Sequence, residues 1–463
     1  MSNRILLSIV FFLTFLKLTA LSFTNFDLFG DEAQYWIWSK NPDLGYFSKP
    51  PFLAWFIGIY TSLFGDSLFV LKLLPLTIYY LTAFAVYNFC KNLELKSSEA
   101  ISCSLIFLFI PAVSFSTFLI STDIFLLLFW TLSLNQLINI KKNQDIRGFI
   151  LLGIFIGLAF LSKYAAVFFL ICLIVYVFFD KKFRTFFLRN YPKFLLTITC
   201  VLFILLPNII WNFNNNWVTL QHTADNTNLS NLNFNLFRGL EFLIIQILML
   251  GPFLFIGSIM NLKNLFLSDN QKFLLIFSIP IFLIVLIEAI LVRANANWAA
   301  PALISFFIFL YIGIRNTILI RANLLFNFSF AFFFFVLIAT SYPLNIFDRI
   351  NGLNKFAKET YNKINNRNLK DIVVSDRLLF SSMRYELRNM DLVFHMPHKE
   401  ETGITNHFKI SDPLDKKMKN NFIYIGNPKD INYLKNNYFL NKIDDKKYLF
   451  SNQRLTVYEV IFK

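Results

Sequence analysis

Residues 30–51 read GDEAQYWIWSKNPDLGYFSKPP, and this stretch follows a hydrophobic segment at residues 5–23. It contains two adjacent carboxylates, Asp31 and Glu32, several aromatic residues, and Lys49 in a Lys-Pro-Pro sequence. Ionisable residues next to an apolar run that is long enough to cross a bilayer are often functional. The stretch therefore predicts a loop at a membrane surface that carries chemistry.

Composition agrees with a membrane protein. The chain has 463 residues, of which 56% are hydrophobic and 15% are charged, whereas soluble domains have about 25% charged residues. The formal net charge is +15, but the basic residues fall mainly in short loops between apolar runs. This distribution indicates membrane topology and argues against a nucleic-acid partner.

Apolar runs predict about eleven transmembrane helices. The runs are at residues 5–23, 67–90, 99–119, 124–140, 148–162, 165–179, 194–211, 239–260, 273–292, 299–314 and 323–342. Segment 5–23 is long and lacks a convincing cleavage site, so we interpret it as a retained first helix. Segment 51–64 is followed at once by Gly65 and Asp66, so it is expected to be an interfacial helix.

The bias of Lys and Arg between alternate loops predicts the orientation of the chain. One set of loops contains Arg4, Lys91, Lys96, Lys141, Lys142, Arg147, Lys181, Lys182, Arg184, Arg189, Lys193, Lys263, Lys272, Arg315 and Arg321. The other set contains Lys40, Lys49, Lys163, Arg238 and Arg293. The first set is therefore predicted to be cytoplasmic, with the N-terminus, and the residues after Tyr342 are predicted to lie outside.

The predicted architecture has two domains. Residues 1–343 form a polytopic α-helical membrane domain that includes an outer loop at 24–66, and residues 344–463 form a small extracytoplasmic α/β domain. In the second domain strands are predicted at Ile372–Ser375, Leu392–His395, Phe422–Ile425 and Thr456–Ile461, with helices at Leu378–Arg388 and Pro428–Asn437.

The predicted topology places most of the unusual polar residues at one membrane face. They are Asp31, Glu32, Lys49, Asp123, Lys163, Arg293, Asn297 and Trp298. Cations of this kind suit the binding of a phosphate, and carboxylates suit a general base or the stabilisation of a cationic transition state.

Each residue also has a purely structural interpretation. Asp31 and Glu32 are equally compatible with stabilising a helix N-terminus, and Asp123 with capping the helix that begins there. Lysine and arginine at such positions commonly extend to the membrane interface. His222 is compatible with a solvated loop histidine, and Lys17 and Lys72, which lie inside predicted spans, with snorkelling or pairing.

Several separated motifs resemble the GT-C glycosyltransferases, in particular the bacterial aminoarabinose transferase and protein mannosyltransferase superfamily (glycosyltransferase family 39/83 type). The motifs are the acidic pair at 31–32 with Tyr46-x-x-Lys49-Pro-Pro, Ser121-Thr122-Asp123, Gly157–Tyr164, Leu206-Pro207-Asn208 with Trp211-Asn212 and Trp217-Val218, and Ala294–Pro301. Asp376-Arg377, Tyr385 and Asn406-His407 resemble the outer domain of that family, so the resemblance covers essentially the whole chain.

The resemblance implies an enzyme of the bacterial inner membrane that takes a sugar from a polyprenyl-phosphate donor and inverts its anomeric centre. It implies Asp31 as the main catalytic carboxylate, Asp123 as the second with Glu32 beside them, and Lys49, Lys163 and Arg293 at the donor phosphate. Candidate substrate contacts are Tyr46, Tyr164, Asn297, Trp298 and His222. The acceptor stays open between lipid A, another envelope glycan and a protein.

Metal dependence is not supported by the sequence. Some aminoarabinose transferases have an acidic residue immediately before the lysine of this motif, where this chain has Ser48. None of the four cysteines has metal-binding spacing, so we predict no metal site and no certain cofactor.

Two other classes of protein compete with this interpretation. A transporter or lipid flippase would also use ionisable residues inside the membrane, such as Lys72 and Glu288, but it is expected to show two halves with matching broken helices. The sequence shows no such halves. A scaffold protein leaves the predicted clustering of carboxylates and cations without a reason.

Overall fold

The computed structural model describes residues 2–227, 232–260, 268–314, 317–367, 369–397, 404–415, 420–426, 438–447 and 454–463. The chain divides into two compact units. The helical unit consists of Met1–Ser22, Lys49–Leu53 and Phe69–Ala339, and the mixed unit consists of Phe23–Ser48, Ala54–Leu68 and Thr340–Lys463.

Helices account for most of the described chain. The first ten are α1 Asn3–Phe23, α2 Gly30–Lys40, α3 Phe52–Phe64, α4 Leu68–Asn92, α5 Ser97–Phe107, α6 Pro111–Ser116, α7 Asp123–Asn143, α8 Ile146–Ser162, α9 Val167–Phe179 and α10 Lys181–Arg189. The next eight are α11 Tyr191–Asn214, α12 Val218–Thr227, α13 Leu236–Leu250, α14 Pro252–Met260, α15 Asp269–Ile276, α16 Ile279–Leu291, α17 Ala300–Gly313 and α18 Thr317–Ala339. The last three are α19 Leu353–Ile364, α20 Arg377–Glu386 and α21 Phe408–Ser411.

The helical unit confirms a multi-span membrane protein. Within the described ranges, seven helices are long and apolar enough to cross a membrane, and the number rises to nine if two bent pairs each count as one span. The bends are 108° between α9 and α10 and 96° between α13 and α14.

Two of the eleven predicted runs account for the difference. Run 148–162 corresponds to α8, whose 17 residues span only about 26 Å of a bilayer core that is ~30 Å thick. Run 99–119 is interrupted between α5 and α6. The interruption precedes Pro111, because a proline disfavours the helical conformation of the residue before it.

A close helix contact positions the end of α8, where the predicted motif Gly157–Tyr164 lies. Helix α8 packs against α7 and α11. A Cβ atom on Gly153 would lie 2.6 Å from the carbonyl oxygen of Thr197 in α11. Glycine therefore allows the two backbones to approach more closely than any other residue would.

A five-stranded sheet forms the core of the mixed unit. Its strands are β1 Asp371–Val374, β2 Val393–His395, β3 Phe422–Gly426, β4 Tyr438–Lys447 and β5 Arg454–Phe462, in the order β2-β1-β3-β5-β4. β1 is parallel to β2 and β3, whereas β5 is antiparallel to β3 and β4. Val373, Phe422, Tyr424 and Val460 are fully buried in this core.

The four predicted strands of the tail are confirmed as β1, β2, β3 and β5, and the predicted helix at Leu378–Arg388 as α20. Strand β4 was not predicted, since its sequence YFLNKIDDKK is charged and lacks alternation over its second half. It is instead held by antiparallel pairing with β5. The predicted helix at Pro428–Asn437 lies outside the described residues.

The structure groups the first loop differently from the sequence prediction. We expected residues 24–66 to belong to the membrane domain, but Phe23–Ser48 and Ala54–Leu68 form one compact unit with the tail. Helix α2 packs against α20, with Gly30 against Leu378 and the ring of Trp36 edge-on to that of Tyr385. The last segment of this unit begins at Thr340.

Candidate functional site

Three predicted site residues come together in the helical unit. Asp123 is the first residue of α7, Lys163 follows the last residue of α8, and Asn297 lies in a 3-10 turn before α17. The Nζ atom of Lys163 lies 2.7 Å from Oδ1 of Asp123, and Nδ2 of Asn297 donates to Oδ2 of Asp123 at 3.0 Å. Three distant segments of the chain thus meet at one carboxylate.

The contacts of Asp123 show whether its side chain caps α7. Its side chain is 10% exposed and that of Lys163 is 15% exposed. The N-cap of α7 is Thr122, and no side chain caps the helix. Both oxygens of Asp123 instead accept hydrogen bonds from other segments, so Asp123 is an ion-pair partner, not a helix cap.

A buried hydrogen-bond network holds Tyr164, the residue after Lys163. The hydroxyl of Tyr164 donates to Oδ1 of Asn208 at 2.6 Å and accepts from Nδ2 of Asn212 at 3.2 Å. Both asparagines lie on α11 and are 2% exposed. The extended backbone at Lys163 and this network together fix the segment that presents the lysine to Asp123.

The segment between α16 and α17 carries Arg293, Asn297 and Trp298. Arg293 is exposed and Trp298 is half-buried. Helix α13 anchors this segment, because Nε2 of the buried Gln246 donates to the carbonyl oxygen of Ala296 at 3.0 Å. Gln246 was not predicted, since a single amide in an apolar helix gives no sequence signal for its partner.

Lys49 also belongs to the helical unit and is half-buried. Three residues later, the ring of Phe52 packs edge-on against Phe125 and Phe129 of α7, with ring centres 5.0 and 5.2 Å apart. The Lys-Pro-Pro segment is therefore anchored to the helix that begins with Asp123.

Asp31 lies in the mixed unit and forms an ion pair with the tail. Its Oδ1 is 2.7 Å from NH1 of Arg377, the first residue of α20, and the same guanidinium donates to Oε1 of Gln34. The Asp31 and Arg377 side chains are 36% and 33% exposed. The guanidinium thus pairs with the Asp31 carboxylate, and about a third of the Asp31 side chain stays exposed.

Glu32 occupies a structural position. It is 1% exposed, and its carboxylate accepts a hydrogen bond at 2.8 Å from the backbone N–H of Phe29 at the start of α2. This contact satisfies a free donor at a helix N-terminus. The catalytic role of Glu32 stays a prediction.

Tyr46 is fully buried in an aromatic box of the mixed unit. Its ring stacks on Trp38, with centres 4.3 Å apart, and His407 packs edge-on against both rings. Nδ1 of His407 accepts from the backbone N–H of Phe47. Burial raises the pKa of Tyr46 to about 12 and lowers the pKa of His407 to about 4, so both are neutral near pH 7.

His222 lies on α12, half-buried, with Nε2 at 3.0 Å from Nδ2 of Asn226 one turn later. Its role as a substrate contact stays a prediction. Within the part of the chain that the structure describes, no three His, Cys, Asp or Glu side chains are close enough together to hold a metal ion.

Comparison with known proteins gives two matches in sequence. Residues 48–211 match the dolichyl-phosphate-mannose-protein mannosyltransferase family. The chain is 31% identical over 309 residues to the lipid A galacturonosyltransferase RgtD of Rhizobium johnstonii, covering 66% of this chain. The match spans 64% of the length of that relative.

The fold matches two crystal structures of ArnT from Cupriavidus metallidurans at 12% identity. The apo structure has a TM-score of 0.67 and covers 98% of this chain and 97% of its own. The structure bound to undecaprenyl phosphate has a TM-score of 0.68, and the match covers 99% of this chain and 98% of the ArnT chain. These matches extend over the helices and the C-terminal sheet alike.

Proposed function

We propose that this chain belongs to the aminoarabinose transferase and protein mannosyltransferase superfamily of GT-C proteins, and that it is a glycosyltransferase. Its donor is a sugar linked to a polyprenyl phosphate. Its acceptor is a molecule of the bacterial envelope, and the reaction takes place at the outer face of the inner membrane.

The observation that carries this proposal is the contact of Asp123 with Lys163 and Asn297. Removing two charges from water is costly, and apolar residues of similar size would often stabilise a fold equally well. A largely buried ion pair at the ends of apolar helices is therefore better explained by chemistry than by packing.

The chemistry of the transfer requires both signs of charge. As the bond between the anomeric carbon and the phosphate oxygen breaks, positive charge develops on the sugar and negative charge on the departing phosphate. In the proposed reaction Asp31 and Asp123 serve the sugar side. Lys49, Lys163 and Arg293 serve the phosphate, which leaves as polyprenyl phosphate.

The acceptor determines the role of Asp31. A hydroxyl acceptor attacks the anomeric carbon while its proton passes to the Asp31 carboxylate, and the configuration inverts. A phosphate acceptor is already ionised, so Asp31 then only positions it or stabilises charge. The names of the two relatives favour undecaprenyl phosphate as the lipid carrier and lipid A as the acceptor.

The test uses purified protein with a polyprenyl-phosphate sugar and lipid A, and measures the mass of the product. We expect D31N and D123N to lose transfer while each still folds and inserts into the membrane. D348N, which changes an exposed carboxylate of the mixed unit, and D269N, which changes an exposed one on α15, serve as controls. Full activity of D31N and D123N would refute the assignment.

A further inference from the structure

Two lysines lie buried inside apolar helices of the helical unit. Lys17 of α1 is 3% exposed and Lys72 of α4 is 1% exposed. Snorkelling, one of the two expectations from the sequence, does not occur, because each side chain turns inward to a backbone carbonyl group. The Nζ atom of Lys17 donates to Leu108 at 3.4 Å, and that of Lys72 to Phe118 at 3.0 Å.

Both carbonyl groups belong to the span that is interrupted before Pro111. Leu108 is the first residue after α5, and Phe118 is the second residue after α6. Carbonyl groups beyond a helix end lack the usual partner four residues later, and in an apolar environment they must find another donor. The two lysines supply donors on either side of α6.

The two ends of α6 lead to different parts of the chain. After Phe118 the chain runs through residues 119–122 directly to Asp123, and Ile120 and Thr122 on the way are each 3% exposed. The ammonium of Lys72 also lies 4.2 Å from the centre of the Phe118 ring. Lys72 thus fixes both the backbone and the side chain of Phe118, five residues before Asp123.

We propose that Lys72 is a positioning residue for Asp123. By holding Phe118, it sets the position of the segment that delivers the Asp123 carboxylate to Lys163 and Asn297. Lys17 makes the equivalent contact at the opposite end of α6 and contributes to the fold alone. This inference rests on the proposed function, because it assumes that Asp123 acts in sugar transfer.

The pair of lysines gives a matched experiment. K72M and K17M each remove one buried amine from an apolar helix and leave one carbonyl group without that donor, so K17M controls for the loss of a buried amine as such. K72M is expected to lower kcat by about tenfold or more, because a small misplacement of a catalytic group is costly. The KM for the polyprenyl-phosphate sugar should stay close to the wild-type value, whereas K17M should keep the wild-type kcat.

Two further variants complete the test. K72R retains a cationic donor and is expected to recover part of kcat. K72Q, which keeps a neutral donor of shorter reach, replaces K72M in the comparison if K72M does not insert into the membrane. Equal losses of kcat in K72M and K17M, or no recovery in K72R, would overturn the proposal.

The outcome for D123N separates this inference from the proposed function. If D123N is inactive and K72M behaves as K17M does, the positioning role alone is wrong. If D123N is fully active, the role of Asp123 in the proposed function fails, and the positioning role of Lys72 fails with it.

Discussion

Removing one partner of the ion pair between Lys163 and Asp123 should lower stability as well as activity. The charged atoms are 2.7 Å apart, and the two side chains are 15% and 10% exposed. Breaking a buried pair by removing one partner leaves an uncompensated charge and costs about 3–5 kcal/mol. We therefore expect K163M to lower the free energy of unfolding by about 3 kcal/mol, the lower end of that range, because Asn297 still donates to the carboxylate.

A double-mutant cycle with D123N measures the interaction itself. In D123N/K163M neither charge remains, so the double variant should lose less stability than the sum of the single variants, by roughly 1–3 kcal/mol. The free energy of unfolding is measured by reversible titration with SDS in mixed micelles.

The same cycle on Lys182 and Asp269 is the matched control. That pair is 2.9 Å apart, but its side chains are 83% and 52% exposed, so solvent screens it and the coupling should be small. A coupling free energy between Lys163 and Asp123 that is no larger than that between Lys182 and Asp269 would refute the claim that burial strengthens the Lys163–Asp123 interaction.

Four further results are expected. R377M should lower turnover by roughly tenfold, because the Asp31 carboxylate loses the guanidinium that holds it; this is part of the ~10²–10⁴ that a well-placed base contributes. R377K should restore some of the turnover, and unchanged turnover in R377M would exclude a role of Arg377 in positioning Asp31. K49A should raise the KM for the sugar donor by about tenfold, since a hydrogen bond to a charged group contributes about 1.5–3 kcal/mol. An unchanged KM with a low kcat would exclude Lys49 from binding the donor phosphate in the ground state. Burial and Asp27 raise the pKa of Glu386 from 4.5 to about 7, so between these pH values the folded state holds a proton that the unfolded state releases. The wild type should therefore lose stability as pH rises from 4.5 to about 7, and E386Q should lose less. Burial lowers the pKa of His407 from 6.5 to about 4, so the opposite holds there: stability is lost as pH falls from 6.5 to 4, and H407N should lack this loss. For the last two variants, pH profiles of unfolding that run parallel to the wild type would contradict the expectation.

The sequence was sufficient to predict the helical fold and to select three residues that contact one another. Apolar runs of bilayer length gave the helices, because burial in lipid leaves little choice of residue. Asp123, Lys163 and Asn297 could be selected because polar residues at the ends of such runs are conspicuous. Their contact confirms that these three residues form one cluster.

Other features depend on partners that are distant in sequence. Arg377 appeared only as part of a motif in the tail, and its pairing with Asp31 bridges 346 positions of the chain. The interrupted span was missed because hydropathy does not detect the missing hydrogen bonds around Pro111. Strand β4 was missed because its neighbour β5, not its own pattern, holds it in the sheet.

The most direct test of the proposed sugar transfer compares envelope lipids and glycans by mass spectrometry in cells with the gene, without it, and with the D123N variant in its place. We predict that one envelope lipid or glycan lacks a single sugar in both the deletion strain and the D123N strain, and that the polyprenyl-phosphate-linked sugar accumulates in both. Identical envelope and carrier-lipid profiles in all three strains would contradict the proposed reaction.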